Sequence, residues 1–295
     1  MKTSLKIINK YGDNLTADFR YPEKTSELTT EKIPLFVFCH GFKGFKDWGG
    51  FPYMLDTISS TGIFTVSFNF SYNGVGEDVN SLTDFTRLEL FANNTFSREL
   101  DDLGSVMDFL DANQNKYLYD FKNIILCGHS RGGGIAILKA AEDKRIKKLI
   151  TLAAVKELNR YSDDLIKKWK QKGYFEVLNT RTNQLMRMNY CLIEDLEKNS
   201  ERLDILKAVS GINIPLLIIH GEQDLSVGIE EAHSLFDHSN KIHTSLDVIP
   251  GTGHTFGIEH PFRGSNPIFD DIINKIIFFI KEVNTRNSDF LTLNW

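Results

Sequence analysis

Apolar positions along the chain follow two rhythms: short continuous runs, and longer stretches in which they recur every three to four residues. Near the start, Leu5 and Ile7, then Leu15, Ala17 and Phe19, alternate with polar residues around Tyr11-Gly12-Asp13-Asn14, which predicts a β-hairpin. Residues 23–32 are polar and read as a loop. Residues 33–39 are apolar almost without a break, the pattern of a strand buried on both faces of a parallel sheet. Similar strands are predicted at 64–70, 123–127, 148–153, 214–219 and 244–249. Helical periodicity lies between most of them, at 51–60, 98–113, 131–142, 229–237 and 268–283. Strands alternating with helices predict an α/β fold, a mostly parallel sheet flanked by helices and joined by right-handed crossovers.

Residues 155–210 interrupt this alternation. They carry no buried-strand pattern, only charged amphipathic stretches such as 163–172 and 189–207. A connection of that length predicts a helical cap inserted into a core made of residues 1–154 and 211–295. Two ordinary crossover helices with a surface loop are the alternative. Neither an internal repeat nor a low-complexity tract is visible.

Composition narrows the classes of function. The chain has 295 residues, 41% hydrophobic and 25% charged, which is ordinary for a globular protein. Its net charge of -5 gives no electrostatic reason to expect nucleic acid or an anionic membrane as partner. Three cysteines without short repeated spacings argue against a disulfide framework or a zinc site. The N-terminus lacks an apolar h-region, and no apolar run approaches the ~20 residues of a membrane span. A cytoplasmic location is expected.

The motif that carries chemistry is Gly128-His129-Ser130-Arg131-Gly132. A chance Gly-x-Ser-x-Gly is expected in about one in ten chains of this length, so the pentapeptide alone proves little. Its setting adds weight: an apolar strand precedes it and a helical run follows directly, the strand–turn–helix of a nucleophile elbow. Side chains at 128 and 132 would crowd the neighbouring strand and helix, and Gly133 and Gly134 relax that crowding further. The competing reading is a glycine-rich turn with a helix-capping serine.

A serine hydroxyl needs a base, and an acid to orient that base. Among the eight histidines, His254 lies in the turn-rich Pro250-Gly-Thr-Gly-His254-Thr-Phe just after the last predicted strand. His260 is the rival base. Asp224 follows the preceding strand in Gly221-Glu-Gln-Asp224-Leu-Ser226, where it could fix the imidazole tautomer; Glu222 is its neighbour and rival, and Asp247 lies within a strand. An oxyanion hole requires two backbone donors. Arg131, after the nucleophile, offers one N–H, and Phe42 in His40-Gly41-Phe42-Lys43-Gly44 offers the second.

In order and spacing, His40-Gly-Phe-Lys-Gly, Gly128-His-Ser-Arg-Gly-Gly, His220-Gly-Glu-Gln-Asp and Gly251-Thr-Gly-His-Thr-Phe resemble the α/β-hydrolase superfamily. The nearest resemblance is to compact bacterial feruloyl and cinnamoyl esterases and to the dienelactone-hydrolase and acylaminoacyl-peptidase-like set. It implies an eight-stranded sheet with an antiparallel second strand, a cap, a Ser130–Asp224–His254 triad and no cofactor. Dienelactone hydrolases proper use a cysteine where this chain has Ser130. Lys167, Lys168, Lys170, Lys172, Glu194, Asp195 and Glu197 make the predicted cap charged, which favours water-soluble esters over triglycerides. Arg181, Arg187 and Tyr190 are candidates to meet a substrate carboxylate or ring. The resulting expectation is a serine esterase acting on a small-molecule ester, with neither nucleic acid nor membrane as partner and the chain a candidate homodimer. A peptidase, thioesterase or acyltransferase with the same triad, or an inactive binding protein on this fold, are the competing readings.

Overall fold

The alternation of apolar runs translates directly into layers in the computed structural model, which describes residues 1–22, 32–77, 81, 83–117 and 119–282. The strands are β1 (Lys2–Ile8), β2 (Asn14–Arg20), β3 (Ile33–Cys39), β4 (Phe64–Phe68), β5 (Tyr119–His129), β6 (Ile146–Leu152), β7 (Tyr174–Asn179), β8 (Gln184–Asn189), β9 (Leu216–Gly221) and β10 (Thr244–Ile249). The helices are α1 (Phe51–Ser60), α2 (Leu88–Ala92), α3 (Phe96–Ala112), α4 (Arg131–Glu142), α5 (Asp163–Lys172), α6 (Cys191–Lys198), α7 (Ile205–Ser210), α8 (Ile229–His238) and α9 (Pro267–Lys281).

Eight strands form one sheet in the order β1-β2-β4-β3-β5-β6-β9-β10. β2 is antiparallel to both β1 and β4, and from β4 to β10 every pairing is parallel. Period-two alternation splits each central strand between two cores. Leu35, Val37 and Cys39 of β3 face the layer of α3, α4 and α8, whereas Phe36 and Phe38 face α1 and α9. Burial on both faces is why these strands are apolar throughout. This is the α/β-hydrolase fold, eight-stranded as expected.

The sheet's register places the loops that matter. Cys39 of β3 lies beside Gly128 of β5, and Ile249 of β10 beside Gly221 of β9. The carboxyl ends of these strands therefore open on one edge, where ligands gather in open α/β sheets.

Several expectations change. The strand expected over 64–70 ends at Phe68, and β5 begins earlier than expected, at Tyr119. α2 was not expected. Most of the polar stretch 23–32 lies outside the described residues, as does residue 283 at the end of the last helix. The largest difference lies in 155–210, which is not purely helical. Gly173, at φ +81°, ends α5, and β7 and β8 then pair as an antiparallel hairpin. The stretch expected to be helical over 189–207 is divided into α6 and α7. Physically, Phe175 and Val177 pair with Met188 and Met186 across the hairpin. Met186 and Met188 are buried, while Arg187 and Leu185 point outward. One half-covered face is enough to hold two strands, but it leaves a sequence pattern too mixed to resemble a buried strand.

Candidate active site

Ser130 sits between β5 and α4 at φ 56°, ψ −123°, backbone territory that costs about 1–3 kcal/mol and persists only where the surroundings enforce it. The closest of the surroundings here are backbone. A Cβ at Gly128 would overlap the Gly132 carbonyl, and one at Gly132 would overlap the His40 carbonyl. A Cβ at Gly133 would come within 2.5 Å of Ala154 Cβ. Ser130 N–H donates to Leu152 O (2.8 Å), and the Ser130 carbonyl accepts from Gly133 and Val155 N–H. Gly41 lets the loop after β3 pass the serine, since its own Cβ would stand 2.9 Å from Ser130 Cβ.

His254, in the loop after β10, bonds through Nδ1 to Asp224 Oδ2 at 2.7 Å. Asp224 is fully buried and also accepts the Ser226 and Val227 N–H groups through Oδ1, at 2.8 and 2.9 Å. His220 Nε2 donates to Val227 O and lies 3.4 Å from Asp224 Oδ2. Burial alone would raise the Asp224 carboxyl, but these partners outweigh it and hold the group well below the usual carboxylate range. The rivals go elsewhere. Glu222 accepts from Gly251 N–H, and Asp247 pairs with Lys275. His260 accepts the Gly49 N–H through Nδ1 and stacks on Trp48. Ser130 and His254 line the same cleft, without a hydrogen bond between their side chains.

The backbone N–H groups of Phe42 and Arg131 have no protein acceptor among the described residues. Their side chains are joined: the Arg131 guanidinium lies 4.0 Å from the Phe42 ring centroid and 3.3 Å from Glu99 Oε1. Phe42 stacks on Phe91, and Glu99 accepts from Asn94. His40 is buried and held down at about 4 chiefly by burial, so it is neutral. Its Nδ1–H donates to Gly41 O, and Nε2 accepts the Phe70 N–H, which fixes the loop's bend.

Sequence reasoning overlooked His129 and Glu99. His129, buried and pushed down to about 3 mainly by desolvation, donates Nε2–H to His254 O at 2.9 Å and packs between Phe51 and His254. It thereby anchors the backbone of the loop that carries His254. An aromatic residue inside the turn motif was the available signal. Glu99 lies on α3, far from any motif, and had none.

The cleft over Ser130 has two lobes. The larger, about 500 Å³, has aromatic walls in Phe42, Trp48 and Phe51 and reaches the hairpin at Asn179, Thr180 and Arg181. The smaller, about 380 Å³, runs past Arg160 and Tyr161. Ser130, His254, Phe42 and Lys43 border both. Among the described residues no group of three or more His, Cys, Asp or Glu side chains is arranged to hold a metal, and no helix is long and apolar enough to cross a membrane.

The BD-FAE family model matches residues 87–238, a span that contains the elbow, Asp224 and the hairpin. The chain belongs to the BD-FAE family. That is a hydrolase family. An Escherichia coli protein described as an uncharacterized 31.7 kDa protein in the traX-finO intergenic region is 28% identical over 146 residues. That alignment takes in 50% of this chain and 44% of the relative, so the chain spans less than half of the relative's length. Among solved structures, Est1E from Butyrivibrio proteoclasticus aligns at a TM-score of 0.66 with 19% identity, covering 94% of this chain and 97% of that one. The same protein with ferulic acid bound gives 0.68 and 20%, with the same coverage. The α/β hydrolase GrgF from Penicillium sp. sh18 gives 0.68 and 18%, covering 95% and 98%. At these identities the BD-FAE chain and its structural neighbours share a fold.

Proposed function

We propose that this hydrolase is a serine esterase that cleaves small, water-soluble carboxylic esters through an acyl-enzyme on Ser130. The observation that carries the reading is the 2.7 Å bond between His254 Nδ1 and buried Asp224, on the same cleft as a serine in strained elbow geometry. With Asp224 accepting the Nδ1 proton, Nε2 keeps its lone pair free to act as base. His254 takes the hydroxyl proton as Ser130 attacks the ester carbonyl, and the Phe42 and Arg131 N–H groups receive the negative charge that develops on its oxygen. The alcohol leaves with that proton. A water deprotonated by His254 then attacks the acyl-enzyme, and the carboxylic acid departs as Ser130 regains its proton.

Two further features bear on the substrate. The aromatic lobe suits a flat acyl or alcohol group, in keeping with the ferulic acid bound to Est1E. Residues 155–210 are best understood as a cap on the core, and the surface of α5 is charged, with Trp169 its one buried residue. A charged cap favours dissolved esters over a lipid interface. The test is labelling of the folded protein with a fluorophosphonate probe. Stoichiometric labelling that disappears in Ser130→Ala is expected. Absence of labelling, or equal labelling of the variant, overturns the proposal.

A further inference from the structure

The charge of the cleft opposes that of the chain. The protein carries a net charge of -5, yet Lys43 and Arg181 line the larger lobe with Glu259 as the single carboxylate beside them. Neither cation forms an ion pair among the described residues, and Glu259 does not reach them. Elsewhere on the site the cations are matched: Arg131 by Glu99 and Arg160 by Glu231.

The local geometry holds these donors in place without using them up. Arg181 lies in the turn between β7 and β8. Its Nη2 donates to Thr83 O at 3.2 Å, and its guanidinium rests 5.5 Å from the Phe45 ring centroid and 5.8 Å from that of Phe85. Lys43 Nζ reaches across from the loop after β3 to Leu178 O at 3.2 Å, which leaves it two further N–H donors. Asn179, 5% exposed, lines the same lobe, and its Oδ1 accepts the Arg181 N–H while its buried Nδ2 has no acceptor among the described residues. An unpartnered buried amide donor costs about 1–3 kcal/mol, so an acceptor arriving there is favoured. All three residues line the lobe that contains Ser130 and His254.

We infer that the Lys43–Asn179–Arg181 end of the cleft is an anion subsite, and that the preferred substrate is an ester bearing a second, free carboxylate. The inference rests on the esterase reading above and narrows its substrate class. A planar carboxylate matches the guanidinium fork and leaves lone pairs for the lysine and the amide. Because the cleft is positive within an acidic protein, it also draws anionic esters from solution.

The experiment compares kcat/KM within two matched pairs of esters, each corrected for uncatalysed hydrolysis. In one pair the charge is on the acyl side: mono-p-nitrophenyl glutarate against its methyl ester. In the other it is on the leaving group: p-acetoxybenzoate against p-acetoxybenzamide. The anionic member of at least one pair is expected to be preferred by about tenfold, the size of one charge-assisted hydrogen bond. That ratio should fall toward one in Arg181→Gln and recover in part in Arg181→Lys. A ratio taken within one preparation does not depend on how much of the variant is folded. Equal or lower kcat/KM for the anionic member of both pairs overturns the subsite. So does failure to cleave any of the four esters by protein that fluorophosphonate labels at Ser130. In either case the esterase reading stands, whereas absence of labelling removes both.

Discussion

At Gly128 and Gly132, backbone meets backbone: added Cβ atoms would strike the carbonyls of Gly132 and His40. In the β7–β8 hairpin, position is set by side chains instead. Met186 and Met188 are buried, Phe175 and Val177 are half-covered, and the turn at Arg181 is exposed. The contrast teaches where precision is needed. A reacting hydroxyl misplaced by an ångström loses most of its rate, so it sits where no atom can yield. Recognition of a substrate's far end tolerates adjustment, and a hairpin held by side-chain packing supplies it.

Substitutions on the two regions should accordingly differ in kind. The largest effect is expected from Asp224→Asn, which removes the acceptor that fixes the His254 tautomer. kcat should fall by about 10⁴-fold with little change in the melting temperature. A loss below tenfold would move the orienting role to another group. Gly132→Ala should cost about 4 kcal/mol or more in chemical denaturation, because its Cβ overlaps the fixed His40 carbonyl. A folded, active Gly132→Ala protein would break the claim that the elbow is closed by backbone. On the hairpin side, Trp169 of α5 is 1% exposed and packs edge-on to Tyr161 and against Phe175. Trp169→Ala should cost about 3 kcal/mol, felt locally. Hydrogen exchange should quicken in β7 and β8 while β5 amides stay protected, and equal loss in both would erase the distinction.

The smallest effect sharpens the rigid side. Asp18 of β2 is buried against Lys46, which follows the loop of His40 to Gly44, at 2.7 Å. Burial alone would raise its carboxyl, but Lys46, Ser4 and Lys2 outweigh it and hold it down at about 2. A carboxyl whose folded pKa lies below its unfolded value stabilises the fold above about pH 4 and loses that contribution as pH falls toward 2. The wild type should therefore shed on the order of 2 kcal/mol across that window. Denaturation of Asp18→Asn should lack this acid-limb slope, and identical slopes would remove the pair from the account.

Legibility in the sequence followed the same division. β3, β5, β6 and β9 were visible because burial on both faces forces unbroken apolar runs. Ser130, Asp224 and His254 stood out because strand ends and glycine turns frame each of them. Phe42 was reachable through Gly41. What escaped notice lacked local framing. Glu99 meets Arg131 only through the packing of α3 on α4, and His129 was read as a spacer within a motif. The hairpin was missed because one half-covered face leaves alternation mixed with surface charge. Its turn, with Asn183 at φ +54°, was the one usable mark.

The central claim is that Ser130 carries the acyl group. Acid quenching during turnover of a p-nitrophenyl ester, followed by trypsin digestion and mass spectrometry of the peptide spanning 123–131, tests it most directly. The account predicts the mass of the acyl group on that peptide, with fragmentation assigning it to Ser130. An unmodified peptide during steady turnover, or an acyl group on any other residue, would contradict it.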